Sequence, residues 1–344
     1  MINYKPKYES TVLIVDGAHA LRRSMYQPSY RELSTAQGMP TGAVFGVCKI
    51  LCSLKHNFPA NSIVVTLEGG HSKRRMGLYE DYKHRSGDTD EIQEDTGMTD
   101  FQYYVHQQSW LKKLLACLNI RVITTPGKEG DDVIYQLSHL IKGKKVIISE
   151  DKDFYSLISE NISLYRPIRG ETVSIDTFSD VTGYDYPVQF LYEKVLLGDG
   201  SDNIPSVCKG VGGKTVSDVL KKIPVDEISL KSIKSTAAEF KGARYQKLAM
   251  MDDTVFNRNM ALIDISQEAF SILELTDIIK ELQTDTWDLN SALKIMSALE
   301  FGESTKQDLL NLGEQCRMYP FTEDVINKGY LLDVMSGIST TLLG

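Results

Sequence analysis

Four short runs rich in β-branched residues, at 11–15, 62–67, 121–125 and 145–148, recur through the first half of the chain. Such runs read as short, buried strands. Helical patterns lie between them, at 42–54, where apolar residues occupy nearly every face, at 109–118 and at 133–141. Strands alternating with helices predict an α/β fold with a mostly parallel central sheet covered by helices. From about Leu191 the strand signal fades, and helical patterns with glycine-bearing turns take over. A helical subdomain is expected to begin there.

The residues just past each strand narrow the chemistry. The first run leads into Asp16-Gly17 and the second into Glu68-Gly69-Gly70. A short loop after the third reaches Glu129-Gly130-Asp131-Asp132, which opens a helix. The fourth runs into Ser149-Glu150-Asp151-Lys152-Asp153. In a parallel sheet the C-terminal strand ends share one edge, where open α/β folds bind ligands. These acids should therefore converge on one crevice. Clustered carboxylates repel one another and lose hydration, so the crevice calls for a counter-charge. Oxygen donors suit a hard divalent cation, magnesium above all where phosphate is also a ligand. No histidine or cysteine stands within these motifs, which disfavours zinc or copper. Any one of these acids reads equally well as a helix N-cap offsetting the dipole. Four strand ends together favour the metal crevice.

Composition bounds the partners less firmly. The 344 residues, 42% hydrophobic, suffice for one large domain or two modest ones. The net charge of −8 argues against a nucleic-acid partner, because duplex phosphates usually meet a basic face. An acidic metal cluster can, however, mask local basic patches. Five cysteines, an odd number with no C-x-x-C pair, suggest free thiols in a reducing compartment. The polar start MINYKPKYES and the absence of an apolar run of ~18 residues point to a cytoplasmic protein without a membrane span.

Longer motifs run through the chain in a fixed order. Leu13-Ile14-Val15-Asp16-Gly17 is followed by Arg23, and Gly38-Met39-Pro40 by Ala43-Val44-Phe45-Gly46. Arg75, Tyr79, Tyr82 and Lys83 keep an R-x-x-x-Y-x-x-Y-K spacing. Glu129-Gly130-Asp131-Asp132-Val133 and Asp151-Lys152-Asp153 follow. Gly198-Asp199-Gly200-Ser201-Asp202-Asn203-Ile204-Pro205 precedes Gly210-Val211-Gly212-Gly213-Lys214-Thr215, and Phe256-Asn257-Arg258-Asn259 comes last. In this series the chain resembles the 5′ nucleases: the 5′-nuclease domain of bacterial DNA polymerase I, phage 5′-exonucleases and flap endonucleases. The resemblance spans about residues 12–264. It implies a PIN-like core over 1–190 with a helical arch at about 71–115. It also implies a helix-three-turn-helix subdomain over 191–272, and residues 273–344 are left as a helical extension and tail.

The resemblance implies that Asp16, Glu68, Glu129, Asp131, Asp132, Asp151, Asp153, Asp199 and Asp202 hold two or more Mg2+ ions, with Mn2+ able to substitute. Asp199 and Asp202 act partly as an outer shell. Lys83 and Arg75 are implied partners of the scissile phosphate, and Arg23, Tyr79, Tyr82 and Arg85 implied DNA contacts. Either tyrosine reads alternatively as a core aromatic. Gly210, Gly212, Gly213, Lys214 and Thr215 resemble the turn that grips a duplex backbone and binds K+ through main-chain carbonyls. Three departures stand out: Glu68 replaces the usual aspartate and reaches ~1.5 Å farther, Arg85 lies one position early, and the loop before Gly210 is one residue longer. The implied activity is a 5′-3′ exonuclease and flap endonuclease acting on DNA and on RNA-DNA hybrids, monomeric, stand-alone, with the C-terminal segment open to a replication partner. The competing readings are a catalytically altered DNA-binding protein, for which Glu68 is the hint, and a single-strand ribonuclease.

Overall fold

The structure is a computed structural model and describes residues 11–58, 62–84 and 97–336. Its strands are Val12–Asp16 (β1), Ser62–Thr66 (β2), Arg121–Ile123 (β3), Lys145–Ile148 (β4), Ile162–Arg166 (β5) and Glu171–Val173 (β6). They form one sheet in the order β3-β2-β1-β4-β5-β6, parallel from β3 to β5, with β6 antiparallel at the edge. The four expected strands are present. The β5–β6 hairpin was not expected, because Ser163 and Arg166 interrupt the apolar signal. Arg166 tolerates burial by pairing with Glu150 at 3.4 Å and Glu171 at 3.7 Å.

Side chains alternate across a strand, so a central parallel strand must satisfy two apolar layers. In β1, Val12 and Ile14 enter the core on the side of helix Gly130–Leu140, while Leu13 and Val15 enter the core under helix Gly42–Asn57. Burying each such side chain stabilises the fold by roughly 1.5–3 kcal/mol. The register then fixes the acidic edge. β1 pairs Asp16 with Thr66, two residues before Glu68, and pairs Val15 with Ile148, so Asp16 meets Ser149.

Past Val173 no strand occurs among the described residues. Helix Pro187–Leu197 packs on the 3-10 turn Lys152–Leu157 and on helices Gly213–Leu220 and Asp253–Ile263. The expected break at 190/191 falls inside this helix. The region beyond 273 returns to the core. Ile272–Gln283 covers the β3 edge, Leu289–Ala298 packs on helix Asp100–Cys117, Glu303–Met318 on Gly42–Asn57, and Lys328–Met335 on Gly130–Leu140. No described helix is long and apolar enough to cross a membrane. All five cysteines are free.

Candidate active site

The acids do converge at the strand ends, but their surroundings differ. Asp16 accepts from the His19 amide at 2.9 Å, capping helix Gly17–Tyr26, and from Ser149 Oγ at 2.7 Å. The chain turns so tightly here that a Cβ on Gly17 would stand 2.4 Å from Val65 Cγ1. Burial pushes the Asp16 carboxyl up, and Asp151 adds to this. Asp131 is more extreme. Burial and the repulsion of Asp16 and Asp151 push it well above the usual carboxylate range. Among the described residues, none donates a hydrogen bond to its carboxylate. Asp151 caps the following turn, accepting from the Asp153 amide at 2.8 Å.

Glu68 uses its extra length in another direction. The Gly130 amide, at the start of helix Gly130–Leu140, donates to its Oε2 at 3.0 Å, and Arg22 stands 3.6 Å from its Oε1. It therefore caps the helix that carries Asp131.

Glu129 is the hub of one flank. It accepts from the Ser72 amide (3.2 Å), Arg75 (3.3 Å), Tyr82 Oη (2.9 Å) and Lys83 Nζ (2.8 Å). Burial opposes its charge, yet His71, Lys83 and Arg75 outweigh burial and hold its carboxyl below the usual glutamate range. Three expectations change here. Arg75, only 2% exposed, spends its guanidinium on Asp132 (3.0 and 2.7 Å), Glu129 and the Leu262 carbonyl (3.0 Å), leaving no face for a phosphate. Asp132 is wholly buried in that bidentate pair and also accepts from the Glu129 amide at 3.1 Å, so it is not an open ligand. Tyr82 is buried against Glu129, and Tyr79 packs on the core with Arg258 4.6 Å over its ring, so neither offers a free stacking face. Spacing brought these residues to one cluster but did not show the faces they present. Lys83 remains 24% exposed, held in a left-handed conformation (φ 52°), with its amide donating to the Asp202 carbonyl at 3.1 Å.

The opposite flank rests on a residue absent from the expected site. Lys194, on helix Pro187–Leu197, bridges Asp153 and, at 2.8 Å, Asp199. Burial and Asp151 push Asp153 up to about 7, with Lys194 pulling the other way. For Asp199, burial is overcome by Lys194 and Ser201, and its carboxyl lies below the usual range. Burial raises Asp202, which stands 3.8 Å from Lys83. A helical lysine five residues before Asp199 carries no local signal distinguishing it from a solvated one.

Among the described residues no three acids close into a metal cage. Two ammonium groups stand among them instead, and Asp16, Asp131 and Asp151 are left facing one another. Mutually repelling carboxylates, with His19 as the imidazole acting on Asp16 and no thiol among them, fit a hard divalent cation.

The 198–215 turn carries the remaining candidates. Gly198 (φ 76°) packs so closely that a Cβ would stand 2.4 Å from the Ile204 carbonyl oxygen. Gly210 (φ 82°), Gly212 and Lys214 are exposed and Gly213 half-buried at the first turn of helix Gly213–Leu220. Thr215 is buried, so it supports the turn and cannot meet a duplex backbone. Residues 205–251 hold nine lysines and arginines against four acids, a basic region within an acidic chain. Arg23 is half-buried in the last turn of helix Gly17–Tyr26. Arg85 lies outside the described residues.

Comparison with known proteins bears on the family and the fold. Residues 11–183 match the family model of the 5′-3′ exonuclease N-terminal, resolvase-like domain. The 5′-3′ exonuclease of Aquifex aeolicus is 29% identical over 305 residues, covering 87% of this chain and 99% of that protein. Thermostable DNA polymerase I of Thermus aquaticus is 30% identical over 305 residues, 87% of this chain and 33% of the polymerase. Among solved structures, T5 5′-exonuclease with bound zinc shares the fold at a TM-score of 0.59 and 19% identity, covering 88% of this chain and 99% of the other.

Proposed function

The chain belongs to the 5′-3′ exonuclease family, and on that premise we propose a magnesium-dependent, structure-specific 5′ nuclease that hydrolyses DNA phosphodiesters at 5′ ends and flaps. The observation that carries this reading is the Asp16–Asp131–Asp151 face, with Asp16 buried and Asp131 and Asp151 partly exposed, bounded by Lys83 on one side and Lys194 on the other. Asp16, Asp131, Asp151 and Asp153 would hold Mg2+, or Mn2+ in its place, with Glu129, Asp199 and Asp202 orienting them from behind. Bound there, a pair of divalent ions supplies an acidified water and a counter-charge for the leaving oxygen.

The chain's own groups do the rest. Lys83 is partly exposed and fixed by Glu129, so its ammonium can donate to a phosphoryl oxygen as charge develops. Tyr82 and Arg75 hold Glu129 and keep Lys83 at this edge. Lys194, partly exposed between Asp153 and Asp199, would be a second ammonium for a phosphate at this face. The exposed glycines and Lys214 of the 210–215 turn can approach a duplex backbone, and K+ at this turn is part of the same reading. Backbone contacts carry no sequence code, so binding should be sequence-tolerant and salt-sensitive. RNA-DNA hybrids and RNA primers fall within the same chemistry. A monomer acting in replication or repair in the cytoplasm, with a replication partner at the C-terminal helices, completes the proposal.

The test is a labelled 5′-flap duplex incubated with magnesium and then with EDTA, beside Asp153→Asn. No magnesium-dependent cleavage by the wild type overturns the function. Equal cleavage by the variant overturns the site.

A further inference from the structure

Helix Asp253–Ile263 joins the two halves of the site. Near its middle, buried Asn259 donates to the carbonyls of Val195 (3.2 Å) and Pro205 (2.8 Å), holding the turn that carries Asp199 and Asp202. At its end, the Ala261 and Leu262 carbonyls accept from Arg74 (2.7 Å) and Arg75 (3.0 Å). The chain then makes the 3-10 turn Ile265–Gln267 and buries Glu268, which is 5% exposed.

The donors on Glu268 all adjoin Glu129. Ser72 Oγ donates to Oε2 at 2.7 Å, Arg74 Nε to the same oxygen at 2.9 Å, and Lys128 Nζ to Oε1 at 3.0 Å. Ser72 gives its own amide to Glu129, Lys128 immediately precedes Glu129, and Arg74 precedes the Arg75 that pairs with it. Ser72 also caps the helix leading to Tyr82 and Lys83. Burial would raise the Glu268 carboxyl, but these bonds outweigh it and keep the group ionised.

We propose that Glu268 is a positioning residue for the nuclease reaction, locking the loop before Glu129 and the segment 72–83 into one arrangement so that Glu129 and Lys83 meet the substrate together. The inference rests on the nuclease reading above. Glu268 bonds to Ser72, Arg74 and Lys128 and to none of Asp16, Asp131, Asp151 or Asp153, so its loss should act on turnover through Glu129 and Lys83.

The experiment compares wild type, Glu268→Gln, Ser72→Ala and the double variant on a labelled 5′-flap duplex at saturating magnesium, with thermal melts and amide hydrogen exchange of the intact chains. The expected result is a fall in kcat of about tenfold for Glu268→Gln with KM within about twofold, the range typical when an outer partner of a ligand is removed. Ser72→Ala should fall in the same direction, and the double variant should be no slower than the worse single, because both break one relay. Exchange should quicken at residues 72–83. Wild-type kcat in either single variant, multiplicative losses in the double, or unchanged exchange at 72–83 would overturn the proposal. Ser72→Ala removes one hydroxyl, so it decides the matter even where Glu268→Gln melts below the assay temperature. The wild-type arm reports on the nuclease reading by itself, and the exchange arm reads positioning without cleavage.

Discussion

Glu129 and Asp131 stand two residues apart at the start of one helix, yet their environments are opposite. Glu129 accepts four hydrogen bonds and is held below its usual pKa; Asp131 accepts none from the described residues and is pushed well above it by burial, Asp16 and Asp151. The difference separates a scaffold flank, neutralised by the protein's own cations, from an open face, one left short of counter-charge, where a divalent cation is proposed to bind. A site built this way is pre-organised on one side and destabilised on the other, as functional sites commonly are.

The sharpest way to break the comparison is at Arg75. Replacing it by Met strands Asp132 and Glu129 in a dry interior, and removal of one member of such a buried pair costs about 3–5 kcal/mol. Urea unfolding should show that loss, and Arg75→Lys should not restore it, since one ammonium cannot match the bidentate geometry. A well-folded Arg75→Met with abolished turnover would instead put Arg75 at the phosphate. Next comes Asp131→Asn. It should lower kcat by roughly 10²–10³-fold, the scale of losing one pre-organised electrostatic contact. It should also raise the melting temperature in EDTA, because like charges are relieved. A variant that is both inactive and less stable would show that Asp131 belongs to the scaffold.

The two flanks should also answer acid with opposite signs. Asp153, whose folded pKa of about 7 lies above 3.8, contributes stability fully present below pH 3.8 and lost as pH rises through 7. Glu129, depressed from 4.5, contributes stability present above 4.5 and lost as pH falls through its lower folded value. In EDTA, wild type should therefore lose stability relative to Asp153→Asn between about pH 4 and 7, by at most about 1.4 kcal/mol per pH unit. Urea midpoints across that window check it. A flat difference would place Asp153, through its Lys194 pair, with the neutralised flank.

The open face was largely legible in the sequence, because Asp16, Asp131 and Asp151 each follow a strand with a strong local pattern. The scaffold flank was legible in composition but not in orientation. Residue spacing brought Arg75, Tyr82 and Asp132 to the site, yet whether a side chain faces substrate or core depends on layers packed from elsewhere. Lys194 and Glu268 left no trace, since a helical lysine and a lone acid 196 residues from its partner Ser72 look like solvated charges until the chain is folded. The β5–β6 hairpin was hidden for a related reason. Arg166 is buried only because Glu150 and Glu171 arrive to pair with it.

Glu68 is the residue whose side of the comparison is least obvious, and the smallest predicted effect decides it. Its strand position matches the open face, but its bonds match the scaffold: the Gly130 amide and Arg22 both meet its carboxylate. Glu68→Ala removes a cap from the helix bearing Asp131 and should cost about 0.5–2 kcal/mol, read by urea unfolding. Turnover at saturating magnesium should fall by less than tenfold, far short of the Asp131→Asn loss. If turnover instead falls as far as for Asp131→Asn while stability is unchanged, the added methylene has not withdrawn the carboxylate. Glu68 would then have to leave Gly130 for a cation. A larger stability loss would mean that Arg22, once freed, disturbs the neighbouring Tyr104 ring, over which it already sits at 5.4 Å.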